Sequence, residues 1–322
     1  MTRILVTGGS GFIGSALIKA LFDSKKDHKI IAFDNLSTGR LENISTLLSR
    51  PDFDFKKGDM LDSFLLKEAV DKSDVVFHLA ASSDVSIGET NTKIDFEQNV
   101  IATYNLLEAM KESQGCKRIV FASTSTVYGE ANDKPVLEHY SPLTPISLYG
   151  ASKLACESLI SGYCHMFRMT GTIARLANII GPSSQQGVIY DFISKLTSDR
   201  HTLDILGNGK QNKSYLHLSD CVNALLYLFY TSETENPSIY NVGSDDKISV
   251  SEISDIIIQE LGLNNVERKY MDKYGGAGWL GDVREFLLDS TKLKNLGWIP
   301  KYHSKEAIIL TIREFLKLQN GK

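Results

Sequence analysis

The sequence predicts an α/β fold: a doubly wound parallel sheet with helices on both faces, followed by a smaller, mixed α/β domain. Three observations support this prediction. Short apolar segments alternate with helical patterns through the first half of the 322 residues, and a glycine-rich loop separates the first strand from the first helix. After about Leu176 this alternation gives way to irregular segments rich in Gly, Asn and Ser. Nearly continuous apolar strands are typical of parallel sheets that helices cover on both faces.

The elements of the first half follow one another in a regular order. Short apolar runs predict buried strands, and longer segments with apolar residues every three or four positions predict helices. The predicted strands are Ile4–Val6, Lys29–Phe33, Asp52–Lys57, Asp74–His78, Arg118–Ala122 and Gly171–Arg175. The predicted helices are Phe12–Phe22, Asp62–Val70, Ile94–Ser113 and Tyr149–Arg168. Right-handed crossovers between such strands produce a doubly wound, Rossmann-like sheet.

Length and change of pattern together predict two domains. We expect residues 1–176 to form the first and residues 177–322 the second, with about residues 213–237 returning to pack on the first. A chain of this length fits about two domains of ordinary size.

Composition excludes several classes of function. The net charge is −4, with 35 basic residues against 39 acidic ones, which gives no reason to expect a nucleic-acid surface. No apolar run approaches the ~18 residues of a membrane span, and the first strand leaves no room for a signal peptide. The four cysteines form no CxxC pair and have no ligand-spaced partners, so we expect reduced thiols, no metal site and a cytoplasmic protein.

The glycine-rich loop predicts a dinucleotide site. Gly8, Gly11 and Gly14 form a GxxGxxG pattern between the first strand and the first helix, and Phe12 and Ile13 complete the cofactor-binding loop. Such glycines permit a tight turn, approach of a pyrophosphate and close packing of helix on strand. Glycine patterns also occur in ordinary turns, so the position between a strand and a helix carries the argument.

Asp34 predicts that the cofactor is NAD. It ends the second strand, 20 residues after Gly14, where a carboxylate can bind both hydroxyls of the adenosine ribose and repel a 2′-phosphate. A turn or helix cap is the alternative role of Asp34, and nearby Arg40 could weaken the discrimination. Asp59 and Met60 follow the third strand and are expected beside the adenine, although this segment also fits a plain turn.

Tyr149 and Lys153 predict proton transfer coupled to hydride transfer. Four residues apart in a predicted helix, they lie on one face, and the ammonium is expected to lower the Tyr149 pKa from about 10. Tyr and Lys are often found at this spacing by chance. Thr124, however, supplies a second hydroxyl after the fifth strand, at the sheet edge where such folds bind ligands. We therefore predict an enzyme rather than a binding module.

With these motifs, the chain resembles the extended short-chain dehydrogenase/reductases, and among them the nucleotide-sugar 4-epimerases of UDP-glucose 4-epimerase type. The resemblance covers nearly the whole chain. The matching segments are Thr7–Gly14, Asp34–Ser37, Gly58–Asp59, His78–Ala81, Asn99, the segment around Thr124, Tyr149 with Lys153, Arg175 with Asn178, Tyr215–His217 with Asp220, Tyr240–Gly243, and Gly281–Asp282 with Asp289.

The resemblance implies tightly bound NAD, a UDP-sugar substrate and a role for each matching residue. Tyr149 would be the acid and base, Lys153 would also bind the nicotinamide ribose, and Thr124 would hydrogen-bond the reacting oxygen of the sugar. The other implied cofactor-binding residues are Asn35, Ser37, Thr38, Gly39, Leu79, Ala80, Ala81, Asn99 and Ser123. The other implied substrate-binding residues are Asn178, Val188, Lys213, Tyr215, Asp282 and Phe286.

The resemblance also implies a homodimer. Helices Ile94–Ser113 and Tyr149–Arg168 of each subunit would form a four-helix bundle. The apolar stripe of Val100, Tyr104 and Leu107 could instead face its own sheet.

Two positions depart from the epimerase pattern. Epimerases often have arginines where this chain has Lys213 and Trp279, and both arginines would hold the diphosphate. Lys213 keeps the charge without the planar fork, and Trp279 keeps neither. The resemblance also implies that Phe286, four residues after Asp282, guards the sugar pocket and excludes N-acetylated hexoses; the alternative is that Phe286 packs in the core beside Leu287.

The predicted activity is interconversion of UDP-glucose and UDP-galactose through a 4-keto intermediate. Related dehydratases carry Asp-Glu beside the equivalent of Thr124, whereas this chain has Ser125, which favours epimerisation. The alternatives are epimerisation of a UDP-N-acetylhexosamine or UDP-glucuronate, a nucleotide-sugar reductase, and a non-catalytic dinucleotide sensor. Tightly bound NAD would indicate an epimerase. His78 and His217 are expected to have structural roles, His78 in the core or in a cofactor loop.

Overall fold

The computed structural model describes residues 1–131, 135–231 and 236–320. Within these ranges the strands are β1 (Thr2–Thr7), β2 (His28–Asp34), β3 (Phe53–Lys57), β4 (Val75–His78), β5 (Arg118–Thr124), β6 (Thr170–Leu176), β7 (Asn178–Ile180), β8 (Thr202–Leu206), β9 (Asn212–Lys213), β10 (Tyr215–His217), β11 (Ser238–Val242), β12 (Ile248–Ser249), β13 (Glu267–Met271) and β14 (Glu285–Phe286). The α-helices are α1 (Phe12–Asp23), α2 (Ser63–Asp71), α3 (Thr92–Asp95), α4 (Ala102–Glu112), α5 (Leu148–Phe167), α6 (Val188–Ser198), α7 (Leu218–Tyr230), α8 (Val250–Glu260), α9 (Thr291–Asn295) and α10 (Ser304–Asn320).

The central sheet has seven strands in the order β11-β6-β5-β4-β1-β2-β3. The pairs β1–β2, β2–β3, β1–β4 and β4–β5 are parallel. The chain winds from β1 to one edge through β2 and β3, then crosses back to β4 and winds the other way. The strand order therefore reverses between β1 and β4, and doubly wound sheets bind ligands at the strand carboxyl ends near such a point. The predicted doubly wound sheet is confirmed.

Buried aliphatic side chains hold this sheet to its helices. Leu5, Val76, Ile119 and Ile173 come from four different strands and are fully buried. They share one hydrophobic cluster with residues of α4 and α5 such as Leu106 and Ile160. Strands that are covered by helices lose water from both faces, which explains why the sequence shows apolar runs rather than alternation.

One predicted helix is divided in the structure. In place of Ile94–Ser113, the chain forms the single turn α3, a π-helical turn at Phe96–Ile101, and α4. The predicted stripe of Val100, Tyr104 and Leu107 does not form one face, because Leu107 is fully buried while Tyr104 is 44% exposed. Leu107 packs in the core, and Tyr104 faces solvent.

The chain divides into two compact units. Unit 1 comprises Met1–Thr124, Leu148–Arg175 and Val222–Tyr240; unit 2 comprises Ser125–Ser147, Leu176–Cys221 and Asn241–Lys322. The change of unit at Leu176 lies where the sequence pattern changes, and Val222–Tyr240 belongs with unit 1. The inclusion of Ser125–Ser147 in unit 2 was not predicted. The implied cofactor-binding residues lie in the first predicted domain, 1–176, and most of the implied substrate-binding residues lie in the second, 177–322; that the first binds NAD and the second the nucleotide sugar stays a prediction.

Unit 2 has small sheets of mixed direction. Strands β7 and β10 are parallel, as are β8 and β13, while β9 pairs antiparallel with β12 and parallel with β14. Its hydrophobic core is formed by residues of α6, α8 and α10 together with Leu203 and Ile205 of β8. No helix within the described ranges is long and apolar enough to cross a membrane. Those ranges also contain no group of three or more His, Cys, Asp or Glu that could hold a metal ion.

Candidate active site

The glycine loop forms a tight cradle at the start of α1. Gly8 has φ +68°, and a Cβ there would lie 2.8 Å from the Ala80 nitrogen. A Cβ on Gly14 would lie 2.1 Å from the Gly8 carbonyl oxygen, so only glycine permits this packing. Gly11 is the N-cap residue of α1 and brings no side chain to the first N–H groups, and the first turn contains no acidic residue. These groups and the positive end of the helix dipole therefore fit the diphosphate of a dinucleotide.

Asp34 connects this loop to the end of β2. Its Oδ2 accepts a hydrogen bond from the Ser10 nitrogen at 2.9 Å, and its Oδ1 accepts one from the Leu36 nitrogen at 2.8 Å. A Cβ on Gly39 would lie 2.8 Å from the carboxylate oxygens, so glycine leaves room beside them. Asp34 therefore caps the turn at Leu36 and does not cap helix α1. Each carboxylate oxygen has more than one lone pair, so Asp34 can accept further hydrogen bonds from the ribose hydroxyls. The ribose contact stays a prediction.

Residues after β2 and β3 hold one another in place. The Asn35 side chain donates to Asp59 Oδ2 at 2.9 Å, and Asp59 Oδ1 accepts from the Leu61 nitrogen at 2.9 Å. Ser37 and Thr38, also predicted to bind cofactor, are exposed. Met60 is buried in the hydrophobic core, and its predicted place beside the adenine stays a prediction.

Asn99 joins the segment after β4 to α5. Its Oδ1 accepts from the Ser82 nitrogen at 2.9 Å, and its Nδ2 donates to Ser152 Oγ at 2.8 Å. Leu79, Ala80 and Ala81 come just before Ser82 and are partly buried. The π-helical turn at Phe96–Ile101 contains Asn99, and such turns occur frequently at functional sites.

The structure brings Thr124 and Tyr149 together. Thr124 ends β5, and its side chain hydrogen-bonds the Tyr149 phenol in the first turn of α5. Lys153 lies one turn further along and is 3% exposed, with Nζ 4.2 Å from the centroid of the Phe121 ring. Two hydroxyls and one ammonium thus come from β5 and α5 alone.

Burial acts on the two ionisable groups in opposite directions. It lowers the pKa of Lys153 to about 8, although nearby Cys156 and Glu157 partly oppose the change. It raises the pKa of Tyr149, with a further rise from Asp95 and Cys156, and the hydrogen bond with Thr124 opposes that rise. The expected lowering of the Tyr149 pKa is therefore wrong for this structure. Loss of water around a buried phenolate is the main cause, and the charge of Asp95 adds to it.

Glu157 is a site residue that the sequence analysis missed. Its Oε1 accepts from Ser123 Oγ at 2.5 Å, and its Oε2 lies 2.7 Å from Arg175 Nη2. The available signal was its position four residues after Lys153, which places an acid on the same helix face. Asp95 was also missed: it lies in α3, far from Tyr149 in sequence, yet its charge acts on the phenol.

The predicted contacts to substrate in unit 2 form a polar cluster. Lys213 Nζ makes an ion pair with Asp282 Oδ1, and Asp282 Oδ2 accepts from the Gly278 nitrogen at 2.9 Å. Lys213 Nζ also lies 5.1 Å from the centroid of the Trp279 ring. Buried Tyr215 has a raised pKa, because of its burial and then the charge of Asp282.

The remaining predicted substrate residues of unit 2 have defined positions. Asn178 donates through Nδ2 to the Ser214 carbonyl oxygen at 3.0 Å, and Val188 begins α6. Phe286 is buried, and its ring stacks on that of Tyr128 with centroids 5.9 Å apart. This packing agrees with a core role, and exclusion of N-acetylated sugars by Phe286 stays a prediction.

The two singled-out histidines have structural surroundings. His78 lies between the hydroxyls of Thr7 and Thr103, at 2.8 and 2.9 Å, and burial lowers its pKa to about 3. It is therefore a neutral core residue. His217 contacts the Ser219 hydroxyl at 2.8 Å and the Glu314 carboxylate at 3.2 Å.

The geometry agrees with a match to a known family. Residues 4–243 match the model of the NAD dependent epimerase/dehydratase family. The chain belongs to this family. The cofactor is NAD, and the cradle of Gly8, Gly11 and Gly14 beside Asp34 fits a dinucleotide.

Three relatives of this NAD-dependent epimerase/dehydratase show the range of activities. A solved UDP-galactose 4-epimerase is 38% identical, with a TM-score of 0.86 over 98% of this chain and 99% of the other. Human dTDP-D-glucose 4,6-dehydratase is 32% identical over 96% of this chain and 89% of the relative. A UDP-glucuronic acid 4-epimerase from Bacillus cereus, solved with UDP-glucuronic acid and NAD, is 26% identical, with a TM-score of 0.89 over 98% and 99% of the two chains.

Proposed function

We propose that this protein is an NAD-dependent 4-epimerase that interconverts UDP-glucose and UDP-galactose. The observation that carries the proposal is the arrangement of Thr124 and Tyr149 beside buried Lys153, with Ser125 rather than a carboxylate next to Thr124. A phenol and a hydroxyl can move one proton on and off a sugar oxygen. Elimination of water needs an additional acid for the leaving hydroxyl, and Ser125 does not supply one.

In this proposal bound NAD would supply the hydride acceptor for C4 of the sugar and the hydride donor for its opposite face. The backbone around Gly8, Gly11 and Gly14 holds its diphosphate, and Asp34 binds its adenosine ribose. Lys153 binds the nicotinamide ribose and orients it. Asn99 and Ser123 line the cofactor and hold α5 and β5 in place through Ser152 and Glu157.

Tyr149 performs the proton transfer. It accepts the proton of the C4 hydroxyl as the hydride leaves, and it gives the proton back when the 4-keto sugar is reduced from its other face. Burial keeps the proton on the free phenol, whereas a Lys153 ammonium one helical turn away would stabilise the phenolate. Thr124 donates to the sugar oxygen and holds it against the phenol. An epimerase must both take up a proton and return it. The opposing effects of burial and of Lys153 on the phenol therefore suit a group that acts first as a base and then as an acid.

The nucleotide part of the substrate is assigned to unit 2. Lys213 and Asn178 contact the diphosphate, and Asp282 binds the uridine ribose. The Trp279 ring beside Lys213 offers the ammonium a cation–π contact in place of a second cationic side chain. Phe286 limits the space for a substituent on C2 of the sugar, which favours glucose and galactose over N-acetylated hexoses.

Two alternatives have specific support. Similarity to human dTDP-D-glucose 4,6-dehydratase supports dehydration, but the residue after Thr124 is Ser125. Similarity to the UDP-glucuronic acid 4-epimerase supports the same epimerisation on another sugar. A homodimer is part of the proposal, with the helical segments that contain Phe96 and Tyr104 at its interface.

A panel of sugar nucleotides tests the proposal directly. Purified protein, without added NAD, should convert both UDP-glucose and UDP-galactose to the same equilibrium mixture, as followed by anion-exchange chromatography and NMR. Bound NAD should be recovered unchanged. Stoichiometric NADH, a product lighter by one water, or exclusive turnover of UDP-glucuronate or dTDP-glucose would contradict the proposal.

A further inference from the structure

Asp95 is a buried carboxyl group that the catalytic roles above do not use. It is the last residue of α3, is 1% exposed, and precedes the π-helical turn that contains Asn99. Asn99 uses both ends of its amide in hydrogen bonds, to Ser82 and Ser152. Neither carboxylate oxygen of Asp95 has a hydrogen-bond partner among the described residues. A buried polar group without a partner is costly and calls for an explanation.

Asp95 lies close to the start of α5. A Cβ added to Gly88 would be 3.2 Å from the Leu148 side chain and 3.5 Å from Asp95 Oδ2, so Asp95 and the residue before Tyr149 converge on the same glycine. Burial raises the pKa of the Tyr149 phenol, and the negative charge of Asp95 raises it further. The carboxyl and the phenol are therefore coupled through space.

Several ionisable and polar groups lie around Asp95. Burial raises its pKa, Asp84 adds to the rise, and the Ser82 hydroxyl partly offsets it without completing a hydrogen bond of normal geometry. On its own segment, Lys93 is paired with Glu97 at the surface, with Nζ and Oε1 2.9 Å apart. Glu89, in the turn packed on α3, is exposed. The side chains that act on the phenol itself are Thr124, Cys156 and Asp95, and Lys153 lies one helical turn further along α5.

We propose that Asp95 is a positioning residue of the proton-transfer site, whose buried carboxyl group holds the proton on Tyr149 and so opposes Lys153. The physical reason is like-charge repulsion, because a carboxylate and a phenolate in one poorly hydrated region cannot both be charged without a large cost. Lys153 favours release of the proton, and Asp95 favours its return. The consequence for turnover rests on the proposed function, while the effect on the phenol does not.

The direct test is the titration of the Tyr149 phenol. Protein labelled with ¹³C at the tyrosine ζ carbon is titrated by NMR with its bound cofactor, and the Tyr149 signal is assigned by its absence in Tyr149→Phe. In Asp95→Asn, which is isosteric and neutral, the phenol should titrate at a pH lower by roughly one unit or more. Glu97→Gln removes a partly exposed acid from the adjoining π-helical turn and should leave the titration unchanged. An unchanged Tyr149 titration in folded Asp95→Asn would overturn the proposal.

A second measurement needs no variant at Asp95. In the unmodified protein, the Tyr149 signal should shift at the pH where the Asp95 carboxyl carbon titrates, because the two groups are coupled. A Tyr149 signal that does not respond to that titration would also contradict the proposal. For turnover, Asp95→Asn should move the acidic limb of the kcat profile to lower pH. If no UDP-sugar were turned over, the proposed function would fail while the NMR result still tested Asp95.

Discussion

Glu157 and Arg175 form a buried ion pair, with Arg175 Nη2 2.7 Å from Glu157 Oε2 and side chains that are 5% and 3% exposed. The same carboxylate accepts the Ser123 hydroxyl, next to Thr124, and its charge partly offsets the lowering of the Lys153 pKa by burial. Removing one partner of a buried pair leaves an uncompensated charge and typically costs ~3–5 kcal/mol. One side chain thus contributes to both the stability of unit 1 and the charge of Lys153.

Tyr149→Phe should abolish most activity while leaving the fold intact. The substitution removes only the phenolic oxygen, so we expect kcat to fall by at least ~10²-fold, the lower end for general acid–base catalysis. Steady-state assay of UDP-galactose conversion, with circular dichroism as the control for folding, measures the effect. Thr124→Ala should cost less and Thr124→Ser very little, because serine keeps the hydroxyl. A Tyr149→Phe enzyme of near-normal rate would show that the base is another residue.

Lys153→Met should inactivate the enzyme and stabilise the protein. The fall of the Lys153 pKa from its ordinary 10.5 to about 8 corresponds to about 3 kcal/mol against the charged, buried form. Methionine fills a similar volume without that cost, so the midpoint of thermal unfolding at neutral pH should rise by a few degrees, as measured by calorimetry.

The same pKa predicts the pH dependence of the unmodified enzyme. The unfolded chain binds the Lys153 proton up to about pH 10.5 and the folded chain only up to about 8, so this group's contribution to the free energy of unfolding should increase between these values. Because the ammonium is needed for proton transfer, kcat should decrease above about pH 8.

For the Lys153→Met variant, lower stability than the parent at neutral pH would contradict the prediction. The ammonium would then have a stabilising partner that outweighs its burial.

Asp34 should enforce a preference for NAD over NADP. Its carboxylate ends β2 beside the glycine loop and would repel a 2′-phosphate. Protein stripped of cofactor should bind NAD more tightly by calorimetry, and Asp34→Asn should narrow the difference while keeping an acceptor for the Leu36 nitrogen. Arg40→Ala is the control for a competing cation. Equal or tighter binding of NADP by the unmodified protein would refute the assignment.

Phe286→Ser should raise activity on UDP-N-acetylglucosamine. The substitution removes a ring that stacks on Tyr128 and opens space for an acetamido group. Leu288→Ala is a matched control, since it also opens a cavity at a buried position two residues away. The ratio of kcat/KM for the acetylated and plain sugars should change only in Phe286→Ser. Efficient turnover of the acetylated substrate by the unmodified enzyme would contradict the predicted role of Phe286.

The protein should be a dimer at micromolar concentration. Phe96 and Tyr104 are 54% and 44% exposed on the helical segment that the resemblance places at the interface. Aspartate at both positions should introduce charge into that interface and yield monomers by light scattering. The control is aspartate at both Phe64 and Tyr190. Phe64 is 77% exposed on α2, and Tyr190 is an exposed residue of α6. A monomeric mass for the unmodified protein would reject the dimer.

Local sequence patterns determined much of the fold. The alternation of apolar runs with helical periodicity predicted β1 to β6 because burial on both faces of a parallel sheet constrains every residue of a strand. The glycine loop could also be predicted from the sequence, since Gly8 and Gly14 have conformations or contacts that no other residue fits. The spacing of Tyr149 and Lys153 also placed them on one helix face without reference to the rest of the chain.

Only the tertiary structure decided what surrounds these residues. The direction of the Tyr149 pKa depends on desolvation and on Asp95, which is 54 positions away in sequence, and neither is visible in a local pattern. The same holds for the ion pair of Glu157 with Arg175, for Lys213 between Asp282 and Trp279, and for the π-helical turn in a predicted straight helix. Periodicity reports which face of an element is buried, whereas ionisation and hydrogen bonding depend on which groups that burial brings together.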